Sequence, residues 1–599
     1  VAQCTGVSLG FFWETQMSER SSQEKRLLFV ASFGLLFLIL FVRTFYLQVA
    51  TYQKHQDTAE SIRAKVIPSL APRGIIFDRN GVVMATSRPY FSLYLLPEQM
   101  SHPEKSYEFL KKYDLINAKQ WALAKQAYSI RDVQPILLKE NLRASQVAFL
   151  KELEQVRPEL AVAARNIRYY PAGNVAGHVL GHIGEITLKQ LLDKTRTGYR
   201  VGDIIGLAGI EKVYDVILRG INGGQQIEVN AFGQTIRRLD QIQDVPGSDV
   251  QLTLDMRLQA RAQQLLGANR GAVLLLNPHN GEVLTAYSNP SFDPNFFTTP
   301  ITPERWVNFI AKENPLHNRA LTAYPAGSTF KISNFLASLS NLHVQSQRPF
   351  FCKGYLQWGS RVAQCWMAGG HGKVDFFHGL VHSCNVVFYT LGLELGAKSM
   401  AAMAQQLSFG ARTGIDLPEE SAGFVPTEAW KQQKFGQAWY PGDSMNMAIG
   451  QGWVQVTPLQ LAVATSALVT SQNILYQPHL LKVAYANRPR NRQNTSRKVL
   501  GKLNVESKHV ELLKQSMRKV VEEGTGRGAL VPNLAIAGKT GTAEDPPRTM
   551  PHAWFTAFAP YESPQVVVTV FIQQGGHGGD RAAAVARDLL LYWQELYRP

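Results

Sequence analysis

Sixteen consecutive residues without a charge, Leu27 to Val42, constrain this chain before anything else does. Arg43 and Thr44 interrupt the run, and Phe45 to Val49 continue it. Together they approach the roughly 20 apolar residues that a helix needs to cross a bilayer. Arg20, Lys25 and Arg26 stand just before it, and flanking positive charge keeps that end in the cytoplasm and sends the rest across. A cleaved signal peptide is the competing reading, but the apolar stretch is long for one and no clear Ala-x-Ala site follows. The expected plan is a cytoplasmic tail over 1–26, a single uncleaved anchor over 27–49 and an exported remainder. Met17-Ser-Glu-Arg reads as a natural start and Val1 as a GTG codon taken literally, so residues 1–16, with Cys4, are expected to lie outside the working protein.

The exported chain is long enough for several domains with their own cores. Residues 50–246 are rich in Gly and Pro punctuation and β-branched runs, with an Asn80-Gly81 hairpin signal. A helical insertion is expected over about 103–165, and Gly206 to Leu218 reads as a turn feeding a helix. No nucleophile-and-base set occurs there, so this is a β-rich spacer or interaction domain, with Arg73, Asp78 and Glu211 in structural ion pairs. A boundary near Pro246-Gly247 opens a second domain, 247–599. Its strands are Asp249–Leu254, a hairpin from Gly271 to Tyr287, His552–Phe558 and Val566–Ile572; its helices include Met256–Ala268 and Ala582–Leu596. Strands at both ends with mostly helical sequence between them imply an α+β arrangement. Asn487–Arg497 reads as a polar, Arg-rich loop. The net charge of +16 suits anionic lipid or an acidic polymer. No zinc-finger array, RNA-recognition signature or dense basic tract with aromatics is present, which argues against nucleic acid.

Three short strings carry the chemistry: Ser328-Thr-Phe-Lys331, Ser383-Cys-Asn385 and Lys539-Thr-Gly-Thr542. Singly they mean little; Ser-x-x-Lys recurs at Ser22 and Ser516, and Ser-x-Asn at Ser444. In order and in context they supply one acyl-transfer site. Ser328 falls at the first turn of a helix, where free N–H groups favour developing negative charge, and Lys331 follows one turn later on the same face. A serine hydroxyl needs a base, and lysine serves if burial or a nearby cation lowers its pKa. Lys539 supplies such a cation. Thr542 offers a second backbone N–H beside that of Ser328 for an oxyanion. Ser383 can relay a proton to a leaving amine, Asn385 can hold Lys331 and a substrate amide, and Thr540, Gly541 and Thr542 flank the substrate. Trp366 and Trp439 read as core packing before groove lining.

Pro325-Ala-Gly-Ser-Thr-Phe-Lys331, Ser383-Cys-Asn385 and Gly538-Lys-Thr-Gly-Thr542 resemble the three motifs of penicillin-binding proteins and serine β-lactamases. Arg73 to Gly81, Arg168-Tyr-Tyr-Pro171 and Gly209-Ile-Glu-Lys212 resemble the pedestal signatures of the class B penicillin-binding proteins; Thr413 to Pro418, Ile449-Gly-Gln-Gly452 and Thr457 to Leu461 resemble their transpeptidase domain. His552-Ala-Trp-Phe and Gly575 to Ala583 are similar to the cell-elongation branch (the penicillin-binding protein 2 type), with the divisome transpeptidases as runner-up. The resemblance implies a penicillin-binding/β-lactamase-like transpeptidase domain on a β-rich pedestal (dimerisation) domain, anchored by one helix in the bacterial inner membrane with its bulk in the periplasm. It implies a serine acyl-enzyme formed with stem peptides ending in D-Ala-D-Ala, β-lactams acylating the same serine, and a SEDS-family glycan polymerase and elongation-complex proteins as membrane partners. A class A β-lactamase would carry Glu-x-x-Leu-Asn between the second and third motifs, and none occurs between Asn385 and Lys539. A membrane-bound β-lactam sensor would keep the same motifs, and only an assay separates it.

Acyl transfer of this kind requires no cofactor. The remaining cysteines nevertheless form a pattern, Cys352-x12-Cys365-x5-His371-x12-Cys384. Three thiolates and an imidazole make a closed tetrahedral zinc set. A Cys352–Cys365 disulfide or buried free thiols are the alternatives in an exported domain. Some relatives are similar in carrying a zinc at the corresponding place, with carboxylates among the ligands; thiolates suit zinc better.

Overall fold

The computed structural model describes residues 11–51, 64–69, 71–129, 135–194, 198–200, 202–229, 235–311, 313–485, 493–494, 497–545 and 550–598. Cys4 therefore lies outside the described residues, as does most of the Arg-rich run 487–497. One long helix, Phe11–Phe45, contains the apolar run. Residues Arg26–Val49 form a 24-residue span, mean hydropathy 2.3, none of it buried against the protein. An apolar helix with no protein around it is suited to lipid as its solvent.

The pedestal is built on a long antiparallel ribbon. Val83–Leu95 pairs with Leu160–Tyr169 over ten residues, and the Asp78–Val82 turn joins Ile76–Phe77 to the ribbon. Between the two long strands the chain forms helices Pro103–Lys112, Ala118–Ser129 and Ala144–Val156 and the short strand Ile136–Lys139. These bury their own apolar cluster around Leu93, Leu110, Trp121 and Leu150. Helical sequence ends at Val156 because Leu160 onward is taken up by the ribbon. A three-stranded antiparallel sheet places Gly223–Val229 between Ala64–Ser69 and Thr235–Ile242. The segment after Gly206 forms two short helices, Gly209–Val213 and Asp215–Leu218.

Those short helices close a buried ionic knot. Glu211, fully buried, meets Arg168 at 2.5 Å and Arg73 at 2.8 Å, while Arg73 reaches Asp215 at 2.9 Å. Asp78 departs from the sequence expectation: among the described residues it makes no ion pair. Its carboxylate instead accepts from the backbone N–H groups of Asn80, Val82 and Met256. It shapes a turn and ties it to the second domain.

Asp249–Leu252 belongs to both units, pairing parallel with Ile76–Phe77 and antiparallel with Leu481–Tyr485. The second domain centres on a five-stranded antiparallel sheet. Its order is Val283–Asn289, Gly271–Leu276, Val566–Ile572, His552–Ala559, Ala537–Ala543, so the two ends of the domain pair at its middle. Alternate residues serve opposite faces. Ala272, Leu274 and Leu276 enter the core under the motif helices, and Val273 and Leu275 the core under Met256–Leu266 and Arg581–Tyr597. Covered on both sides, the sheet is a rigid base. Among the described residues its last strand, Ala537–Ala543, pairs with a strand on one edge only, and the third motif lies on it.

Candidate active site

Ser328 sits in a single 3-10 turn, Gly327–Phe330, that runs into the helix Lys331–Asn341. Side chains three apart eclipse in a 3-10 turn, so Ser328 and Lys331 share a face. The helix is buried from Lys331 through Leu339, and two of its polar side chains anchor it: Asn334 Nδ2 donates to Ala448 O at 2.8 Å and Ser338 Oγ to Asn334 O at 2.8 Å. Gly327 holds the turn against the edge strand. Its φ is +53°, and a Cβ there would stand 2.5 Å from Thr542 O. Its N–H donates to Gly450 O at 2.9 Å, and Gly450 is equally tight, since its Cβ would meet Gly327 O at 2.2 Å. Trp554 Nε1 donates to Pro325 O at 3.1 Å from the neighbouring strand. Ser328 and Thr542 are thereby held side by side, and alternate N–H groups on a free strand edge are open to a ligand.

The middle motif is a strained corner. Ser383, 4% exposed, has φ +52° between helices Phe376–Val381 and Asn385–Gln406; a non-glycine residue held there costs on the order of 1 kcal/mol. The strain aims its side chain inward. Ser383 Oγ lies 3.3 Å from Lys331 Nζ and 3.0 Å from Lys539 Nζ. Lys331 Nζ also donates to Ser383 O at 2.8 Å and Asn385 Oδ1 at 2.7 Å, and Lys539 Nζ to Thr540 O at 2.9 Å. Among the described residues, the hydrogen bonds of the Lys331 side chain all run to the middle motif. Among the described residues the Ser328 hydroxyl has no hydrogen bond, a common state for a nucleophile without substrate.

Both ammonium groups are fully buried. Burial lowers Lys331 to about 7, against an opposing pull from Cys384 and Cys365. Burial and the charge of Lys331 hold Lys539 well below the ordinary lysine range. A neutral Lys331 has two N–H donors, enough for its two strictly accepting partners, and keeps a lone pair for a proton. The group is suited to a general base. With Lys539 on its other side, Ser383 can pass a proton along this row.

Thr525, Tyr389, Gln364 and Gly450 also join the site, and no sequence motif marks them as functional residues. Thr525 Oγ1 contacts Thr540 Oγ1 at 2.7 Å. Tyr389 OH donates to Gln364 O at 3.1 Å and Asn385 Nδ2 to the same oxygen at 3.4 Å, tying a hairpin to the middle motif. Only Gly450 left a signal, as one glycine of the Ile449–Gly452 run. Trp366 is not core: it is 51% exposed with its Nε1 on His382 O at 3.1 Å. Trp439 is half-buried against the main core.

Cys352, Cys365, His371 and Cys384 converge, with their ligand atoms all within 4.8 Å of one another. Cys352 ends the strand Pro349–Cys352, which pairs with Gly372–Asp375 just after His371; Cys365 follows the hairpin Tyr355–Gln364; Cys384 is the N-cap of Asn385–Gln406. The three thiols are free and buried. A hydrogen bond from Cys384 pulls Cys365 down to about 3, and the same bond, with burial, pushes Cys384 up.

The family model for the penicillin-binding protein transpeptidase domain matches residues 271–591, and that for the penicillin-binding protein dimerisation domain matches 68–252. The peptidoglycan D,D-transpeptidase MrdA of Acinetobacter baumannii is 32% identical over 577 residues, covering 93% of this chain and 85% of that protein. MrdA of Escherichia coli K12 is 31% identical over 579 residues, 92% and 91% of the two chains. Among solved structures, penicillin-binding protein 2 in a complex with MreC from Helicobacter pylori has TM-score 0.76 at 29% identity, covering 90% of this chain and all of that one. A chain from a peptidoglycan synthase complex that coordinates polymerisation and cross-linking has TM-score 0.73 at 28% identity, covering 96% and 98%. With Lys331, Ser383, Asn385 and Lys539 joined by hydrogen bonds and a likeness that runs through both domains, the chain belongs to the penicillin-binding protein family, on the penicillin-binding protein 2 (MrdA) branch.

Proposed function

We propose that this chain is the peptidoglycan D,D-transpeptidase of cell-wall elongation, with Ser328 as nucleophile. The observation that carries the residue roles is the row Lys331 Nζ, Ser383 Oγ, Lys539 Nζ, buried beside the Ser328 turn. Ser328 Oγ attacks the carbonyl carbon between the two terminal D-Ala residues, and its proton passes to neutral Lys331. The oxyanion is held by the N–H groups of Ser328 and Thr542. The C–N bond then breaks, and Lys331 returns the proton through Ser383 to the amine of the departing D-Ala. An acceptor amine attacks the resulting ester, loses its proton along the same row and frees Ser328. Lys539 with Thr540 receives the terminal carboxylate, Gly541 lets the peptide lie close to the strand, and Asn385 orients Lys331. β-Lactams acylate the same serine.

The division alternative is not favoured, because the curated likenesses cited are to MrdA. The apolar helix supports a single-pass anchor in the inner membrane, with both folded domains in the periplasm. The likeness to a synthase complex that couples polymerisation to cross-linking supports a SEDS-family glycan polymerase as partner, and the MreC complex supports contact with further elongation proteins.

Zinc held by Cys352, Cys365, His371 and Cys384 belongs to the same proposal. The donor set fits: three soft thiols and an imidazole converge within 4.8 Å. Bound there, zinc would tie the hairpin to the cap of the helix that starts at Asn385; no acyl-transfer step needs it. The proposed function is tested by depleting the chain in growing rod-shaped cells. Rounding that is rescued by the wild-type chain and not by Ser328→Ala is expected; filamentation would point to division instead.

A further inference from the structure

Past the end of the third motif lies a cleft of about 430 Å³, bounded by Tyr324 and Pro325 on the approach to the nucleophile and by Asp545 beyond the edge strand. Arg319 lies on its wall and is only 5% exposed. Its guanidinium donates to Gln573 Oε1 at 3.1 Å and to His317 O at 3.3 Å, both neutral acceptors. Among the described residues no carboxylate lies within ion-pair distance of it. Of the other ionisable groups near the cleft, Arg270 lies 3.7 Å from Glu313, which is 61% exposed, and Asp545 lies 3.2 Å from the His552 ring. Burial and the repulsion of Arg270 lower Arg319 from the usual arginine range, against an opposing pull from Tyr324 and Glu313. Buried charges are ordinarily paired, and a guanidinium fork suits a carboxylate best.

The position of the cleft says which carboxylate. Resting on the transpeptidase reading, the terminal carboxylate of the stem peptide sits at Lys539 and Thr540, and the attacked carbonyl at Ser328 and Thr542. A peptide added along a free strand edge advances about 3.3 Å per residue. Its upstream residues therefore continue past Ala543 toward Asp545 and the cleft. We infer that this cleft is a donor-strand subsite in which Arg319 binds a side-chain carboxylate on the stem-peptide residue just before the D-Ala-D-Ala end.

The test uses the full chain in detergent and two synthetic peptides ending in D-Ala-D-Ala, identical except that the preceding residue carries a side-chain carboxylate in one and a carboxamide in the other. D-Ala release is measured without an acceptor, so only the donor half-reaction is read. Wild type is expected to favour the carboxylate peptide by about tenfold or more in kcat/KM, chiefly through KM, as for one charge-assisted contact. Arg319→Gln should bring that ratio close to one, and Arg319→Lys should restore part of it. The ratio is taken within each protein, so the active fraction cancels, and the wild-type ratio alone decides if a variant does not fold. A wild-type ratio near one overturns the subsite, as does an Arg319→Gln variant that slows both peptides alike. A preference seen only when an acceptor is supplied overturns the donor assignment. Benzylpenicillin acylation of Ser328 in the same wild-type preparation keeps the two readings apart: if it proceeds while the ratio is near one, the subsite alone fails.

Discussion

Lys539 Nζ stands 3.0 Å from the hydroxyl of Ser383, which in turn lies 3.3 Å from Lys331 Nζ. One hydroxyl thus joins two buried amines, which cannot both carry charge cheaply. Ser383→Ala breaks this row and leaves the two lysines in place. Acylation by a fluorescent penicillin should slow by about a hundredfold or more, the usual worth of a positioned proton-transfer group. A stopped-flow rate equal to wild type would remove Ser383 from the proton path.

The base must be neutral to act. Lys331 is held to about 7 by burial, so lowering the pH below that value protonates it and slows acylation, while raising the pH through 7 speeds it. The second-order rate constant for acylation, followed across the neutral range, should climb with a midpoint near 7. A profile that is flat or falls through that range contradicts the assignment of Lys331 as base.

Gly327 fixes the spacing between the Ser328 turn and Thr542. Alanine there puts a Cβ 2.5 Å from Thr542 O at a φ of +53°. The backbone strain costs about 1–2 kcal/mol, and displacing one oxyanion donor costs on the order of 10²–10³ in rate. The Gly327→Ala protein should therefore melt only modestly lower yet acylate far more slowly. A melting loss with no loss of rate would detach Gly327 from catalysis.

Metal analysis of the purified chain should find equimolar zinc. Stripping it with a chelator, or replacing Cys365 with serine, should lower the melting temperature without changing which residue penicillin labels. Metal-free protein whose mass shows the hydrogen loss of a disulfide would replace the zinc proposal with a cross-link.

Much of this architecture is written locally and can be read. The apolar run, the Gly271–Tyr287 hairpin and the strands His552–Phe558 and Val566–Ile572 all show in periodicity and turn residues, and the structure has them. The three motifs could be recognised because each is contiguous. What could not be read depends on residues far apart in the chain. Nothing in Asp249–Leu252 announces a parallel partner at Ile76–Phe77. Asp78 looks like an ion-pair partner by type, yet the turn around it presents backbone N–H groups instead. The left-handed φ of Ser383 is imposed by the helices on either side, so a serine gives no hint of it. Trp366 suggests core by its bulk, but the loop that carries it lies outside the packed layers. Arg319 is one arginine among many until burial isolates its charge.

Intact-mass and peptide-mapping analysis of the full chain after incubation with benzylpenicillin tests whether Ser328 is the acylated nucleophile of a slow-releasing transpeptidase. A stable, stoichiometric adduct is expected on the peptide containing Ser328, and none on Ser328→Ala. An adduct mapped elsewhere, or rapid release of hydrolysed drug with no adduct retained, would contradict it.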